Sequence, residues 1–410
     1  MRVLHAYKVF PPDGIGGIPE VMTCLAKGMS PRHQSSVLVA RTRGRGRRYI
    51  FDGIPVEALT SFGTALSSPI APSFPFVLSN RSREADLVVF HHPCPLNDIG
   101  AIAIADRTAL VVHWHGEIVG RRFFAGLVAP FIRRVLARAR RIIVSHQSMV
   151  RESPFLAAHG EKCAIIPYGI DVAYWNELNG SQQRRVEALR SQYPRLVVAT
   201  GRLVPYKGFH VLIEALREVD ATAIIVGDGP LRGDLLRAAA RFGVEKRIIL
   251  AGKLSRDDLK VHLHAARLYA LPSVTPAEAF GIVQIEAMSC GLPIVNTSLP
   301  TAVPHVARQS LEALTVPPGN PAAFAQALSR LLDDAELSRR LGAAGRARAA
   351  AEYSLETFVR RTEDVYESSA RALGNSSLQR TLGASEGSAA TMAELRGRIG
   401  QAGSNGVADR

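Results

Sequence analysis

The segment 201–208 reads Gly-Arg-Leu-Val-Pro-Tyr-Lys-Gly and joins a predicted strand to a predicted helix. The first amides of a helix are unpaired and carry partial positive charge, so they attract anions. Arg202 and Lys207 add two cations to the same loop, which we call the Arg-Lys loop. Because a diphosphate is bound by charge together with directed donors, this loop favours a diphosphate. The alternative is a surface loop with two solvated cations.

A second segment, 278–286, begins and ends with a glutamate, and we call it the two-Glu segment. Glu278 follows a predicted strand, and Glu286 lies on the next helix. A loop carboxylate can accept hydrogen bonds from sugar hydroxyls, and a helical one can reach both hydroxyls of a ribose. Gly281 allows the helix to begin close to a ligand. The alternatives are that Glu278 caps the helix and that Glu286 is a solvated acid.

Short apolar strands alternate with helices along most of the chain, which is typical of parallel sheets covered by helices. The strands predicted in the first half are Val3–Tyr7, Val37–Ala40, Leu87–Phe90, Leu110–His113, Arg141–Ser145 and Cys163–Pro167. The segment 49–60 predicts an inserted hairpin. After a polar link at 171–192 the alternation restarts with a strand at Leu196–Thr200.

This restart predicts an α/β fold of two Rossmann-like, doubly wound domains that face each other across a cleft, over residues 1–170 and 171–370. Residues 371–410 are rich in Ser, Gly and Ala and are predicted to be a disordered tail. Ligands of open parallel sheets bind beyond the carboxyl ends of the strands. Both the Arg-Lys loop and the two-Glu segment are therefore expected to line the cleft.

The composition favours an anionic partner, because 50 Lys and Arg residues stand against 36 Asp and Glu residues, a net charge of +14. The sequence matches no nucleic-acid module, so an acidic membrane face or a phosphorylated substrate is the better interpretation. No apolar run approaches the roughly 20 residues that span a bilayer. The N-terminus lacks the features of a signal peptide. The four scattered cysteines indicate reduced thiols, so we expect a cytoplasmic protein.

A membrane surface is one candidate anionic partner. The segment Phe123–Ala139 carries apolar residues at a spacing of four, and arginines cluster at its end, namely Arg133, Arg134, Arg138, Arg140 and Arg141. This pattern fits a buried helix, and it also fits an amphipathic helix lying on an anionic leaflet. A second run of arginines, between residues 41 and 48, is equally compatible with a solvated face.

The Arg-Lys loop and the two-Glu segment, with the continuation Ala-Met-Ser-Cys-Gly-Leu-Pro, resemble motifs of family 4 of the retaining glycosyltransferases, which have the GT-B fold. The resemblance extends over roughly residues 1–370. It implies that a nucleotide sugar is the donor and that a glycan or a lipid-diphosphate-linked glycan is the acceptor. An acceptor of that kind places the enzyme at the inner face of the plasma membrane.

The resemblance also implies a role for each matching residue. The donor-binding residues are Gly16 and Gly17 in a glycine-rich loop, Arg202 and Lys207 at the diphosphate, Phe280 and Gly281 through their backbone, and Glu286 at the ribose. The catalytic residues are Glu278, which contacts the donor sugar, and His115, which lies near the reacting sugar. His113 is the weaker candidate for the histidine, because both residues flank Trp114 at a strand end.

Two further observations narrow the chemistry. The chain has no Asp followed two positions later by another Asp, the pair with which another glycosyltransferase fold holds a metal, so we expect no metal and no cofactor. Gly14, Gly16 and Pro19 miss the dinucleotide fingerprint, which argues against an oxidoreductase. The segment 297–304 lacks the Gly-Gly pair of many relatives and is similar to mannosyl- and rhamnosyltransferases of bacterial polysaccharides. The sequence thus predicts retaining transfer of a hexose from GDP-mannose or a UDP-hexose. A GT-B epimerase or phosphorylase and a non-catalytic polysaccharide-assembly protein are the alternatives.

Overall fold

The computed structural model describes residues 1–14, 16–30, 32–65, 68–105, 108–116 and 122–371, with side chains except at 103 and 122–127. The predicted disordered tail lies, apart from Arg371, outside the described residues. So do Ile15 of the glycine-rich loop and Glu117 after the His-Trp-His strand end.

Two parallel sheets organise the described chain. The strands of the first half are β1 (Arg2–Ala6), β2 (Gln34–Ala40), β3 (Arg47–Phe51), β4 (Ile54–Leu59), β5 (Thr64–Ala65), β6 (Ser68–Pro69), β7 (Leu87–His92), β8 (Ala109–Trp114), β9 (Arg141–Val144) and β10 (Cys163–Ile165). The strands of the second half are β11 (Leu196–Thr200), β12 (Thr222–Val226), β13 (Ile248–Gly252), β14 (Leu268–Ala270), β15 (Ile294–Thr297) and β16 (Ala313–Val316).

Helices cover both sheets. Those of the first half are α1 (Gly17–Gly28), α2 (Phe74–Glu84), α3 (Pro95–Gly100), α4 (Arg122–Arg138) and α5 (Gln147–Glu152). Those that follow are α6 (Val172–Asn176), α7 (Gly180–Gln192), α8 (Phe209–Ala215), α9 (Arg232–Arg241), α10 (Arg256–Ala265), α11 (Ile282–Ser289), α12 (Val303–Val306), α13 (Pro321–Asp333), α14 (Ala335–Glu352) and α15 (355–371). Among the described residues, no helix is both long enough and apolar enough to cross a membrane.

The strand order of each sheet reverses once. The first sheet runs β10-β9-β8-β7-β1-β2-β4-β3 and the second runs β13-β12-β11-β14-β15-β16. Because the order reverses between β1 and β7 and again between β11 and β14, the carboxyl ends of these four strands flank the two crevices where doubly wound sheets bind ligands. The prediction of two Rossmann-like domains is confirmed.

The predicted hairpin at 49–60 exists, since β3 pairs antiparallel with β4. It is not an insertion, because β4 also pairs in parallel with β2, with Val56 opposite Val37. The hairpin therefore extends the first sheet at its edge. The alternating burial of β4 follows from this position, with Ile54, Val56 and Ala58 buried in the core.

The last helix returns to the first sheet. Phe358, Val359 and Tyr366 of α15 pack in one core cluster with Val3 of β1 and Leu87 of β7. The sequence predicted that the second domain extends to residue 370. In the structure, α15 packs on the first domain instead. The physical reason is the apolar face of α15, which covers the side of the first sheet beside α1.

The apolar side of α4 is buried in the first domain. Val128, Ile132, Val135 and Leu136 belong to the same core cluster as Val112 of β8. The interpretation of this helix as a buried one is thus confirmed for residues 128–138. The side chains of α4 before residue 128 are not among those that the structure describes.

The arginines between 41 and 48 are largely paired. Arg41 and Arg47 form ion pairs with Asp13, and Arg48 pairs with Glu57.

Candidate active site

The Arg-Lys loop leaves the carboxyl end of β11, and the two-Glu segment follows β14, so both lie at the crevice of the second sheet. Their backbones touch. A Cβ on Gly208 would lie 2.0 Å from the carbonyl oxygen of Pro272, and its φ of +66° is in the left-handed region that glycine adopts freely. The amide of Val274 donates to the carbonyl of Tyr206 at 2.9 Å. This contact explains why side chains far apart in sequence meet here.

The meeting point of the two loops is a buried ion pair. Lys207 Nζ lies 2.5 Å from Glu278 Oε2, and the two side chains are 9% and 10% exposed. The Ser273 hydroxyl donates to the same carboxylate oxygen at 3.0 Å, and Thr297 donates to the Ser273 carbonyl at 2.7 Å. Glu278 is therefore held by a cation and a hydroxyl rather than capping the following helix.

The N-terminus of α11 opens beside this ion pair. Its capping residue is Gly281, at φ +76°, where a Cβ would lie 2.8 Å from the Gln284 side chain. A residue with a side chain would be strained in this left-handed backbone and would displace the Gln284 amide, which donates to the Val303 carbonyl. The first amides of α11 lack partners within the helix, so this end favours an anion. The preceding Phe280 is buried and packs edge-on against Tyr168 of the first domain, with ring centroids 5.0 Å apart.

Glu286 lies one turn from the end of α11 and is partly buried. Burial raises the pKa of this carboxyl to about 7. The charge of Arg256 on α10 opposes that rise, and the charge of Glu20 on α1 adds to it. Because Glu20 belongs to the first domain, Glu286 faces across the cleft.

The remaining predicted donor residues are open to solvent. The Arg202 side chain is exposed and forms no hydrogen bond with the described residues. Gly16 and Gly17 begin α1, and a Cβ at either position would meet no described atom within 4 Å. The space above these glycines is free, which is what a loop that closes over a ligand requires.

Four histidines lie at or near the carboxyl ends of three neighbouring strands of the first sheet. His5 lies on β1, His91 on β7, and His113 on β8, with His115 immediately after β8. His5 Nδ1 lies 3.0 Å from His91 Nε2, His91 Nδ1 lies 2.9 Å from His115 Nε2, and His115 Nδ1 lies 2.7 Å from the Tyr168 hydroxyl. We call this row from His5 to Tyr168 the imidazole chain. It runs from the core to the ring that packs on Phe280.

The imidazole chain is electrically neutral. Burial lowers the pKa of His5 to about 4 and that of His115 to about 3, and it lowers the pKa of His91 well below its ordinary value. A neutral imidazole has one donor and one acceptor, so the direction of one hydrogen bond fixes the direction of the next. His91 and Tyr168 therefore set both the orientation and the tautomer of His115.

His113 stacks on His91 of the imidazole chain, with ring centroids 5.1 Å apart, but its hydrogen bond lies elsewhere, with Nε2 2.9 Å from the hydroxyl of Tyr366 on α15. Sequence reasoning missed His5, His91 and Tyr366. The signal for the two histidines was present, since adjacent parallel strands end together and each has a histidine near that end. No sequence signal indicated Tyr366, because α15 was assigned to the other domain.

Two groups among the described side chains offer ligand atoms close enough to share a metal ion, namely His91, His113 and His115, and His33, Glu363 and Glu367. The first group lies in the candidate site. Its atoms are already engaged in the hydrogen bonds described above, so its geometry is explained without an ion.

Family models match both halves of the chain. The model described as a glycosyl transferase 4-like domain matches residues 16–169, and the model of glycosyl transferases group 1 matches residues 181–348. The first therefore includes the glycine-rich loop and the histidines, and the second includes the Arg-Lys loop and the two-Glu segment.

Similar proteins match most of the chain. The D-rhamnosyltransferase WbpZ of Pseudomonas aeruginosa is 29% identical, covering 85% of this chain and 91% of its own. The O-antigen chain mannosyltransferase C of Escherichia coli is 25% identical, covering 85% and 93%. The crystal structure of HepE from Anabaena in complex with UDP superposes with a TM-score of 0.73 at 23% identity, covering 90% of this chain and all of that one. The chain belongs to family 4 of the GT-B glycosyltransferases.

Proposed function

We propose that this glycosyltransferase moves a hexose, with retention of configuration, from GDP-mannose or a UDP-hexose to a hydroxyl of a glycan or lipid-linked acceptor in bacterial polysaccharide synthesis. The observation that carries the proposal is the buried pair of Lys207 and Glu278 at the meeting of two loops, beside the N-terminus of α11. A cation for phosphate, a carboxylate for sugar hydroxyls and a helix end for an anion lie together there.

The reaction breaks the bond between the anomeric carbon and the diphosphate oxygen, and negative charge builds up on the departing phosphate. Lys207, Arg202 and the first amides of α11 stabilise that charge more in the transition state than in the ground state, which is what accelerates the step. The acceptor oxygen bonds to the anomeric carbon on the face that the diphosphate leaves. Its proton passes to the leaving phosphate, so atoms and charge balance without a protein nucleophile.

Glu278 and Glu286 bind the two ends of the donor in this proposal. Glu278 accepts hydrogen bonds from sugar hydroxyls, and Glu286 accepts them from the ribose. The imidazole chain holds His115 against the sugar. When the donor binds, the Lys207 ammonium contacts the diphosphate and sugar hydroxyls donate to the Glu278 carboxylate. Contacts with the donor thus replace the ion pair between the two side chains.

The identity of the base is argued from the relatives. A mannosyltransferase of Corynebacterium glutamicum described as GDP-mannose-dependent is 27% identical over 88% of this chain, and HepE was crystallised with UDP. A thermal-shift screen against GDP, UDP, ADP and dTDP and their sugars distinguishes these donors, since a ligand of the native state raises the midpoint logarithmically with its concentration. We expect GDP or UDP to raise it, and Lys207→Met to abolish that rise.

The matched control is Lys246→Met. Lys246 is exposed and lies directly before β13, at the amino ends of the strands, whereas the cleft lies beyond their carboxyl ends. This variant should leave the nucleotide response unchanged. If no nucleotide raises the midpoint, or if Lys207→Met responds like the wild type, the donor assignment is wrong.

The same proposal places the enzyme at the anionic inner face of the membrane, where a lipid-linked acceptor would lie. Arg133 and Arg134 of α4 are exposed, while the apolar side of that helix is buried. Several large apolar side chains of the first domain are exposed, namely Phe62, Ile70, Phe76, Ile99 and Ile102. Phe76 and Ile99 lie on α2 and α3, which pack together on the same side of the sheet as α4. Exposed cations and exposed apolar side chains on neighbouring helices are a combination that an anionic leaflet can bind.

A further inference from the structure

A second cluster of ligand atoms lies outside the candidate active site, where α15 packs on the first domain. His33 lies between α1 and β2, and Glu363 and Glu367 share one face of α15. His33 Nε2 is 2.9 Å from Glu363 Oε1 and 3.6 Å from Glu367 Oε1. The residues His33 and Glu363 are only 7% and 5% exposed.

The short distance between His33 and Glu363 is not a hydrogen bond. Neither ring nitrogen of His33 has a hydrogen-bond partner, and neither has Oε1 of Glu363, although all three atoms are buried. Two ligands of one zinc ion, each about 2.1 Å from it at angles between square and tetrahedral, lie roughly 3.0–3.4 Å apart without pointing at each other. The observed separations of 2.9 and 3.6 Å each lie within about 0.2 Å of that range, which is the tolerance expected of ligand distances in a metal site.

The other oxygen of each carboxylate is held by an arginine. Arg32 Nη1 lies 3.3 Å from Glu363 Oε2, and Arg371 Nη2 lies 3.2 Å from Glu367 Oε2. These contacts leave Oε1 of both glutamates directed toward His33. Outer partners that orient ligating carboxylates in this way are a regular part of metal sites. A cavity of about 520 Å³ is lined by Arg32 and Glu363 among others and adjoins the cluster.

The geometry points to a divalent metal site at His33, Glu363 and Glu367. One imidazole and two carboxylates suit Zn²⁺, with water as a fourth ligand. The ion ties α15 to the first domain and takes no part in sugar transfer. It gives a partner to His33 Nε2 and Glu363 Oε1, two of the three buried polar atoms that this packing otherwise leaves unpaired.

The test uses the full chain, stripped with a chelator and dialysed against ZnCl₂. We expect wild-type protein to bind one more Zn²⁺ per chain than His33→Ala, by direct metal counting. The unfolding midpoint of the wild type should rise with the logarithm of the Zn²⁺ concentration. That rise should be absent in His33→Ala and in Glu367→Gln, whose side chain is 36% exposed and tolerates the change.

The matched control is His210→Ala, an exposed histidine on α8, which should keep both the extra ion and the midpoint rise. Equal Zn²⁺ counts in wild type and His33→Ala would overturn the inference, whatever other histidines bind. So would a wild-type midpoint that ignores Zn²⁺ while the variants lower it in metal-free buffer, because that result identifies a plain ion pair.

Discussion

Removing the charge of Lys207 tests the ion pair between the two loops. In Lys207→Met, Glu278 keeps only the Ser273 hydroxyl, in a place where its side chain is 10% exposed. Breaking one partner of a buried pair costs about 3–5 kcal/mol, because the other charge stays buried and uncompensated. For a domain of 150–250 residues this lowers the unfolding midpoint by roughly 6–20 °C.

A double-mutant cycle with Glu278→Gln isolates the pair. Since the second change removes the stranded charge, Lys207→Met/Glu278→Gln should be more stable than the sum of the single losses by about 0.5–3 kcal/mol. Thermal and urea unfolding measure the four proteins, with Lys246→Met as the control for charge alone. If Lys207→Met unfolds within about 1 kcal/mol of wild type, or if the cycle is additive, the two side chains are not coupled.

The same substitution has a separate effect on turnover. Loss of a preorganised charge contact costs about 2–4 kcal/mol of transition-state stabilisation, which is a decrease of roughly 30- to 1000-fold in kcat/KM. We expect a similar loss in Arg202→Ala, but with an unchanged unfolding midpoint, since Arg202 is exposed and unpaired with the described residues. Wild-type turnover in both variants would contradict the diphosphate assignment.

Five further outcomes are expected. Turnover at 25 °C should survive EDTA, and full loss restored by Mg²⁺ would contradict a metal-free transfer. Nucleotide affinity should fall as pH drops below about 7, because Glu286, whose pKa burial raises to about 7, then takes up a proton; Glu286→Gln should remove this dependence. The raised pKa also means that the contribution of Glu286 to stability is present at acid pH and is lost as pH rises through 7, so Glu286→Gln should gain relative stability above pH 7. Tyr168→Phe removes one hydrogen bond from His115 and should lower kcat by roughly 2- to 12-fold with little change in KM, and an unchanged kcat would mean that the tyrosine does not position His115. Binding to anionic liposomes should weaken with salt and in the double variant Arg133→Gln/Arg134→Gln, and indifference to such liposomes at low salt would remove the membrane from the proposal.

Much of the fold could be predicted because a strand buried on both faces is a short apolar run between turn signals. The same alternation located the Arg-Lys loop and the two-Glu segment at strand ends, and the parallel topology then implied that they share a crevice. The contact between Lys207 and Glu278 could not be predicted, since it depends on how closely Gly208 allows one backbone to approach Pro272.

Other features depended on packing between distant segments. The apolar pattern of α4 fits both a core helix and a membrane-lying helix, and only the burial of Ile132 and Leu136 under the first sheet separates the two for the described part. The return of α15 to the first domain was hidden for the same reason. The sequence of an amphipathic helix predicts that one of its faces is buried but not which sheet that face covers.

That return has a mechanical consequence. The chain passes between the domains twice, and the two passages lie side by side. The amide of Ile170 donates to the carbonyl of Tyr353 at 2.9 Å, and the amide of Leu355 donates to the carbonyl of Ile170 at 2.8 Å. A Cβ on Gly169 would lie 2.5 Å from the Ser354 carbonyl oxygen, so the passages are in close contact.

Because the two connecting segments are hydrogen-bonded to each other, they form a single hinge between the domains. A single connecting strand would allow the domains to swivel about its bonds, whereas a paired ribbon bends readily in one direction and resists torsion. We therefore expect any opening of the cleft to bend these paired segments rather than twist them, which would keep its two faces aligned. Each closure would return the α1 end of the first domain to the same place over α11, so the enzyme need not search for the productive orientation after every donor exchange.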